Sequence, residues 1–336
     1  MARVYEAEAI SAGLIVAITG AAIVLAETRG VRIVYASFAV HYLVAAALIG
    51  LATIYRRLGR APEISLTLMS CAIFVLFTNG GAVLNYLLIR PGSVPIDGML
   101  MRVDAALGFD WASFAGQVSQ FGWLARMLGW VYQSSLVQLG AMILVLGLSG
   151  RQVVLHRFVL SGLLCSCFSL LIWALAPSFG PSPYVVLSPA VELRLGRVVD
   201  PAYAAQLMAL LRDGASSIDA HHLIGLIAFP SMHTVMAAMA VWYSRRTIVF
   251  WPLAGLNLLM IPAILVHGGH HLVDVFGGLG VFAVVLVWVR RLVPDESDPA
   301  PLQVQTAQVQ TASGGRLIKI ASILPPVLRP NSVPRS

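Results

Sequence analysis

The chain alternates between long apolar runs and short polar breaks. Eight of the runs are about twenty residues long, which is the length that an α-helix needs to cross the hydrocarbon core of a bilayer. They cover residues 9–27, 33–54, 65–89, 128–149, 154–176, 229–245, 248–267 and 271–291. The pattern predicts an all-α fold, a polytopic membrane helix bundle with about eight transmembrane helices.

Two long connections interrupt the apolar runs, at about residues 90–127 and 177–228, and both are too polar to cross a membrane. The segment "GMLMRVDAALGFDWASFAGQV" in the first connection has apolar residues at helical spacing, so we expect it to lie at the interface or to cap the bundle. From Pro294 onward the chain is rich in Pro, Gln, Ser and Thr. This composition predicts a largely disordered tail, with a short apolar helix near "RLIKIASIL".

Composition and charge support the membrane interpretation. Only 11% of the residues are charged, whereas about a quarter are charged in a soluble domain. The net charge is +7, but the arginines stand mostly at the ends of apolar runs. We therefore expect them to set membrane topology and to contact anionic lipid, and we do not expect nucleic acid as a partner. The three cysteines lie in apolar runs without the spacing of a disulfide framework or a metal site.

The positions of the arginines predict the orientation of the spans. Those in short turns or at the end of the last span are Arg56, Arg57, Arg60, Arg151, Arg245, Arg246, Arg290 and Arg291. The positive-inside rule places them in the cytoplasm together with both termini. The two long connections and the starts of the sixth and eighth spans then face outward. Arg29 and Arg32 fall on the outward side, against the rule.

The stretch "HGGHHLVDVFGG" carries four ionisable side chains into the start of the last span. His270 and Asp274 are four residues apart and share one helix face. Ionisable groups in a membrane are costly unless they are paired, so they point first to a functional site. The alternative is a structural His–Asp pair that ties two helices together.

A second unusual segment, "FPSMHT", opens the sixth span at the same predicted membrane face. Pro230 suits a first helical turn, Ser231 and His233 follow it, and a helix N-terminus offers free N–H groups to an anion. The two segments together contain the parts of a phosphoryl-transfer site. These are a nucleophilic imidazole, a carboxylate to orient it, a second imidazole as acid, and donors for phosphate oxygens.

"PSMH" and "HHLVDVFGG" resemble the second and third signature motifs of the type 2 phosphatidic acid phosphatase superfamily. Together with the upstream "DAALGFDW", they are most similar to its aureobasidin-resistance, inositol phosphorylceramide synthase-like branch. The resemblance covers about residues 95–292. It implies an integral membrane lipid phosphatase or phosphotransferase that acts on a lipid phosphate ester or diphosphate, with a phosphohistidine intermediate and no metal or other cofactor.

The resemblance also implies residue roles and domain limits. His270 would be the nucleophile, Asp274 would orient it, His233 would protonate the leaving oxygen, and Ser231 would hold phosphate oxygens. The N-terminal helices would occupy residues 1–90, the catalytic membrane domain residues 91–292, and a cytoplasmic tail residues 293–336. The expected location is a bacterial-type inner membrane, with the site facing outward.

The chain departs from the family pattern in its cations. The first family motif needs a lysine, and the only lysine, Lys319, lies in the tail. The outward connection supplies Arg212, Arg194 and Arg197, of which Arg212 is the first candidate for binding phosphate. The alternative for each arginine is contact with lipid headgroups.

Several alternatives remain open at this level. The histidines His221, His222, His267 and His271 could suggest zinc, although no metal-binding spacing accompanies them. A non-catalytic transporter or scaffold could use the His/Asp cluster to relay protons or bind an ion. The clustering at one membrane boundary favours the enzyme, because a proton relay would place such groups at several midplanes. The sequence specifies neither the lipid, nor whether water or an alcohol is the acceptor, nor the oligomeric state.

Overall fold

The structure of the protein, a computed structural model, describes residues 2–294, with side chains from residue 6 onward. Thirteen α-helices occupy this part of the chain. They are α1 Ala2–Arg29, α2 Ala39–Arg57, α3 Pro62–Leu88, α4 Asp97–Ala106, α5 Trp111–Ser119, α6 Gly122–Gln133, α7 Ser135–Leu148, α8 Gln152–Leu175, α9 Pro189–Leu195, α10 Pro201–Asp213, α11 Met232–Ser244, α12 Phe250–His267 and α13 Leu272–Leu292. The expected all-α membrane bundle is confirmed. The prediction of a disordered tail from residue 293 lies almost entirely outside the described residues.

Six of these helices, α1, α2, α3, α8, α12 and α13, are long and apolar enough to cross a membrane. The fourth predicted span, residues 128–149, is in fact two helices. The pair α6 and α7 is bent by 50° at Ser134 and forms a seventh span only if it is taken as one broken helix. The bend interrupts an apolar run that is continuous in sequence, so hydropathy alone does not predict it.

The sixth predicted span, residues 229–245, is shorter than expected. Helix α11 has only 13 residues, which is about 20 Å at 1.5 Å per residue and less than a hydrocarbon core of about 30 Å. It nevertheless runs between the two ends of the bundle. Its start is bonded to α13, through Ser231 N–H and the carbonyl of Asp274, and near its end Trp242 lies against Arg290.

The arginine-rich ends of the helices lie together. Arg56 pairs with Glu8 near the start of α1, Arg157 of α8 donates to the carbonyl of Val293, and Arg290 approaches α11. Arg29 lies at the other end, where its guanidinium donates to the carbonyls of Leu87 and Ile89 at the end of α3. Capping of a helix C-terminus, where a cation is favoured, explains this exception to the positive-inside pattern.

The two long connections fold into short helices at the end opposite the short arginine-bearing turns. Asp110, Ser188 and Asp200 begin α5, α9 and α10 as N-caps, each accepting a backbone N–H from the first turn. Two short strands, β1 (Arg32–Ile33) and β2 (Ser217–Ile218), pair in parallel and tie the second connection to the turn after α1. The expected cap is therefore built from both connections. Buried apolar side chains of α3, α7, α8, α11 and α13 form the largest core cluster beneath it.

Candidate active site

The turn between α12 and α13 holds His270 in a crowded position. Helix α12 ends at His267, and Gly268 and Gly269 connect it to His270. A Cβ at Gly268 would lie 2.6 Å from Cδ2 of His270, and one at Gly269 would lie 2.6 Å from Cβ of Ser182. Gly269 also has φ +59°, a backbone conformation that glycine adopts without strain. Both glycines therefore let this turn pack tightly around the His270 ring.

His270 and Asp274 form a buried pair. Nδ1 of His270 lies 3.0 Å from Oδ2 of Asp274, and the same oxygen accepts the backbone N–H of His271. Asp274 is fully buried, and its Oδ1 has no hydrogen-bond partner within residues 2–294. With the carboxylate holding the proton on Nδ1, the lone pair of His270 is on Nε2. Nothing in the described part of the chain hydrogen-bonds to that nitrogen.

His233 lies beside this pair. Its ring is 6.3 Å from the ring of His270, centroid to centroid, at an interplanar angle of 68°. It stacks on Tyr132 at 4.1 Å and 19°. The stack orients the imidazole without occupying its nitrogens, and no described group hydrogen-bonds to either of them. This separation is compatible with one phosphorus centre within reach of both imidazoles, given reacting distances of about 3–3.5 Å.

Ser231 joins the two motif helices. It is fully buried and is the N-cap of α11, where its Oγ accepts the N–H of Thr234 at 3.3 Å. Its own N–H donates to the carbonyl of Asp274 at 3.1 Å. The N–H groups of Met232 and His233 in the first turn have no partner among the described residues, as expected for a helix start. The N-terminus of α11 therefore presents free donors close to both histidines.

Two aspartates of α4 complete the cluster from far away in the chain. Oδ1 of Asp97 lies 3.2 Å from Nε2 of His271, and Oδ2 of Asp104 lies 3.3 Å from its Nδ1. All three side chains are buried. Asp97 and Asp104 are seven residues apart on one helix, so they share a face. His271 is thus held between two carboxylates and not in contact with solvent.

Each aspartate also fixes a backbone segment. Asp104 accepts the N–H groups of Leu272 and Val273 and so caps α13 from outside that helix. Asp97 accepts the N–H groups of Phe179 and Gly180 in the loop after α8. Helix α4 therefore anchors the start of the helix that carries Asp274, and this explains why a polar connection is buried here.

Buried carboxylates govern the charge of His271. Burial alone lowers the pKa of this imidazole, but the hydrogen bond to Asp97 and the charges of Asp274, Asp97 and Asp104 together outweigh it and raise the pKa. The protonated ring offsets part of the negative charge of three buried carboxylates, which would otherwise be costly.

The three candidate arginines have different surroundings. Arg197 is buried, donates to Oγ of Ser182 at 2.6 Å, and pairs with Glu192. Ser182 packs on Gly269, so Ser182 alone separates Arg197 from the turn between α12 and α13 that carries His270. Arg212 is mostly exposed and its hydrogen bonds go to the neighbouring Asp213. Arg194 is also exposed and donates to a carbonyl of its own helix.

The remaining histidines do not assemble into a second centre. His267 is buried, with Nε2 2.7 Å from the carbonyl of Ala125, and so ties α12 to α6. His221 and His222 are exposed in the outer connection. Within residues 2–294 no group of three His, Cys, Asp or Glu side chains is arranged to hold a metal ion.

The structure brings Ser231, His233, His270 and Asp274 together, as the two motifs predicted. Sequence reasoning missed Tyr132, Asp97 and Asp104 as members of the cluster. The spacing of the aspartates on one face was a visible signal, and Asp104 opens the "DAALGFDW" segment that carried part of the resemblance. Nothing in the sequence marked Tyr132 as a site residue, because aromatic residues are common in apolar runs.

Comparison with known proteins identifies the family. A family model described as the PAP2 superfamily matches residues 98–288, which is more than half of the chain. No curated protein and no solved structure matches this chain. The chain belongs to the PAP2 superfamily, and this membership supports a lipid phosphatase or phosphotransferase type of function.

Proposed function

We propose that this member of the PAP2 superfamily is a membrane enzyme that cleaves a lipid phosphate ester or diphosphate through a phosphohistidine on His270. The observation that carries the proposal is the approach of two imidazoles, 6.3 Å apart, one of which is paired with a buried carboxylate. A structural His–Asp pair does not require a second imidazole with both nitrogens free.

The reaction has two steps. Nε2 of His270 attacks phosphorus, the bond from phosphorus to the lipid oxygen breaks, and His233 donates its proton to that oxygen. Water or an alcohol then attacks the phosphohistidine and gives a proton to His233, while the P–N bond breaks and its electrons return to Nε2. Asp274 keeps the ring oriented and stabilises the positive charge that develops on it.

Phosphate oxygens need positive partners in both steps. The free N–H groups at the start of α11 lie beside His233 and suit this role, since a helix N-terminus favours an anion. Among the three candidate arginines, Arg197 has the best claim because of its contact with Ser182. Arg212 and Arg194 remain weaker candidates. Because these donors are available, we propose that the reaction needs no divalent metal.

The motif pattern extends the proposal to the branch. The segments "FPSMHT", "GGHHLVDVFGG" and "DAALGFDW" resemble the inositol phosphorylceramide synthase-like branch. Sphingolipid headgroup transfer, phosphatidate dephosphorylation and polyprenyl diphosphate dephosphorylation all fit the same chemistry. Lipid profiling of a deletion strain would separate them, since the phosphate ester that accumulates identifies the substrate.

Purified protein with dioleoyl phosphatidate in EDTA tests the central proposal. We expect phosphate release by the wild type, no turnover and no phosphohistidine with His270→Asn, and a kcat lower by about 10²–10⁴ with His233→Gln. His222→Gln, the same change at an exposed histidine, is the matched control and should keep full activity.

Three other results would contradict all or part of the proposal. Phosphate release by His270→Asn at the wild-type rate would exclude this nucleophile. Activity lost in EDTA and restored by Mg²⁺ or Zn²⁺ would contradict metal independence. Absence of turnover on all three substrate classes would favour the transporter or scaffold interpretation.

A further inference from the structure

An apolar cavity of about 260 Å³ lies inside the membrane-spanning part of the protein. Four helices, α3, α7, α8 and α11, form its walls. On α3 the lining residues recur at helical spacing from Phe74 to Asn85, which lies eleven residues further along the helix, and on α11 the lining comes from Met232, Met236 and Met239. Each helix thus turns one continuous face to the cavity.

The length of the cavity matches one leaflet of a bilayer. Eleven residues of helix correspond to about 16 Å, roughly half of a hydrocarbon core of about 30 Å. One end lies at Asn85, near the end of α3, and at Met232, the first residue of α11. The cavity therefore runs from the level of the two histidines toward the middle of the membrane.

The end of the cavity nearest the candidate active site is marked by Met232. This residue lines the cavity and lies between Ser231 and His233 in the chain, in the first turn of α11. Oδ1 of Asn85 is buried without a hydrogen-bond partner among the described groups. A buried acceptor with no donor is costly, and here it lies where the polar linkage of a lipid would pass.

Two lining residues are exposed on the membrane-facing surface. Thr78 of α3 is exposed, and Leu136 of α7 is 53% exposed. Both belong to the membrane-embedded part of their helices, where the surrounding medium is lipid hydrocarbon. A mouth between α3 and α7 would let a chain enter sideways from the bilayer without passing through water.

We infer that this cavity holds a hydrocarbon chain of the lipid phosphate substrate while His270 attacks its phosphate. The inference rests on the proposed function and deepens it, because it assigns the chain to a place in the fold. It also gives α3 a role: this helix lies outside residues 98–288, the part that matches the family, yet it supplies one wall. The substrate class is a lipid with at least one long, flexible chain.

A glycine in the wall provides the test. A Cβ at Gly81 would meet only Cε1 of Phe77, at 3.9 Å, so Gly81→Leu extends into the cavity and not into packed structure. Gly50→Leu is the matched control, since Gly50 is exposed on α2 and has nothing within 4 Å of its Cβ position. The probes are dioleoyl phosphatidate, with long chains, and p-nitrophenyl phosphate, with none.

We expect Gly81→Leu to lower kcat/KM for dioleoyl phosphatidate by about tenfold or more, because a displaced chain misplaces the phosphate. Turnover of p-nitrophenyl phosphate should stay within about twofold of wild type, and Gly50→Leu should match wild type on both probes. Equal losses on both probes, or no loss on the long-chain probe, would overturn the inference.

Photolabelling tests the inference without turnover. A phosphatidate with a diazirine halfway along one acyl chain should label wild-type α3 between Phe74 and Asn85, or Met236 and Met239 of α11, and excess dioleoyl phosphatidate should suppress this labelling. Labelling elsewhere, or labelling here that is not suppressed, would mean that ordinary bilayer lipid fills the cavity. A wild type that is labelled here but turns over none of the three substrate classes would contradict the proposed function and leave the inference about the cavity intact.

Discussion

Among single residues, the charged groups around His271 are the feature that the two histidine motifs did not predict. Its ring lies between Asp97 and Asp104, and its backbone N–H binds Asp274. Through its backbone N–H and its ring, His271 therefore links the carboxylate that orients His270 to helix α4, which caps α13. Protonation of His271 should stabilise this arrangement, because it neutralises buried negative charge.

This charge balance predicts how stability depends on pH. The pKa of His271 is raised in the folded protein, so its contribution is complete below the unfolded pKa of about 6.5 and is lost as pH rises through the folded value. The midpoint of thermal unfolding, followed by circular dichroism in detergent, should fall as pH rises above about 6.5. His271→Gln should flatten this slope.

The control for that experiment is His222→Gln, which changes an exposed imidazole and should keep the wild-type slope. If the His271→Gln variant also keeps the wild-type slope of unfolding midpoint against pH, the proton of His271 does not stabilise the fold.

At the scale of elements, the turn between α12 and α13 and the short α11 decide whether the histidines meet. The turn is tightly packed, because its two glycines lie against α6 and against the loop after α8. Helix α11 starts against α13 through Ser231 and Asp274. The position of His270 is therefore set by the packing of three helices and not by the turn alone.

A methyl group at the turn should disturb catalysis. In Gly268→Ala the added Cβ would lie 2.6 Å from Cδ2 of His270 and 2.8 Å from Cε2 of Tyr132. Because misplacement of a reacting group by about 1 Å can cost about a hundredfold, we expect kcat on dioleoyl phosphatidate to fall by about that factor. Gly280→Ala on α13, where the Cβ position is open, should keep activity within about twofold. Equal activity of the two variants would show that the turn tolerates displacement.

In the whole molecule, one end of the bundle holds the short turns that carry arginines and the opposite end carries the site. Helix α11 is about 10 Å shorter than a bilayer core, and its start is bonded to Asp274 in the first turn of α13, so the histidines lie where that span begins. The helices of both long connections cover them. We propose that this covered end faces outward, because the arginine-bearing turns favour the cytoplasm.

Single-cysteine labelling tests that orientation in spheroplasts of a bacterial host. In a chain whose three cysteines, Cys71, Cys165 and Cys167, are replaced by Ala, Val186→Cys should react with an impermeant maleimide added to intact spheroplasts. Ile248→Cys should react only after lysis. Both positions are at least 95% exposed, so access depends on the side of the membrane. The reverse pattern would place the site in the cytoplasm.

The features that a contiguous stretch encodes could be predicted from the amino-acid sequence. Apolar runs of about twenty residues predicted the membrane helices, and "FPSMHT" with "HHLVD" predicted which side chains meet. Helix faces and helix starts follow from spacing within a few residues, and a membrane leaves the backbone few alternatives to a helix. The location of the runs therefore agreed with the structure, apart from the 50° bend at Ser134 and the short α11.

The distant residues that support the site became apparent only from the packing of the helices. Asp104 caps α13 across 168 positions of sequence, Tyr132 stacks on His233, and Arg197, not Arg212, lies beside the histidine turn. The wall that α3 contributes to the cavity is a further case. These contacts depend on how helices pack against one another. Packing is set by the shapes of many side chains at once, so no local pattern in the sequence encodes it.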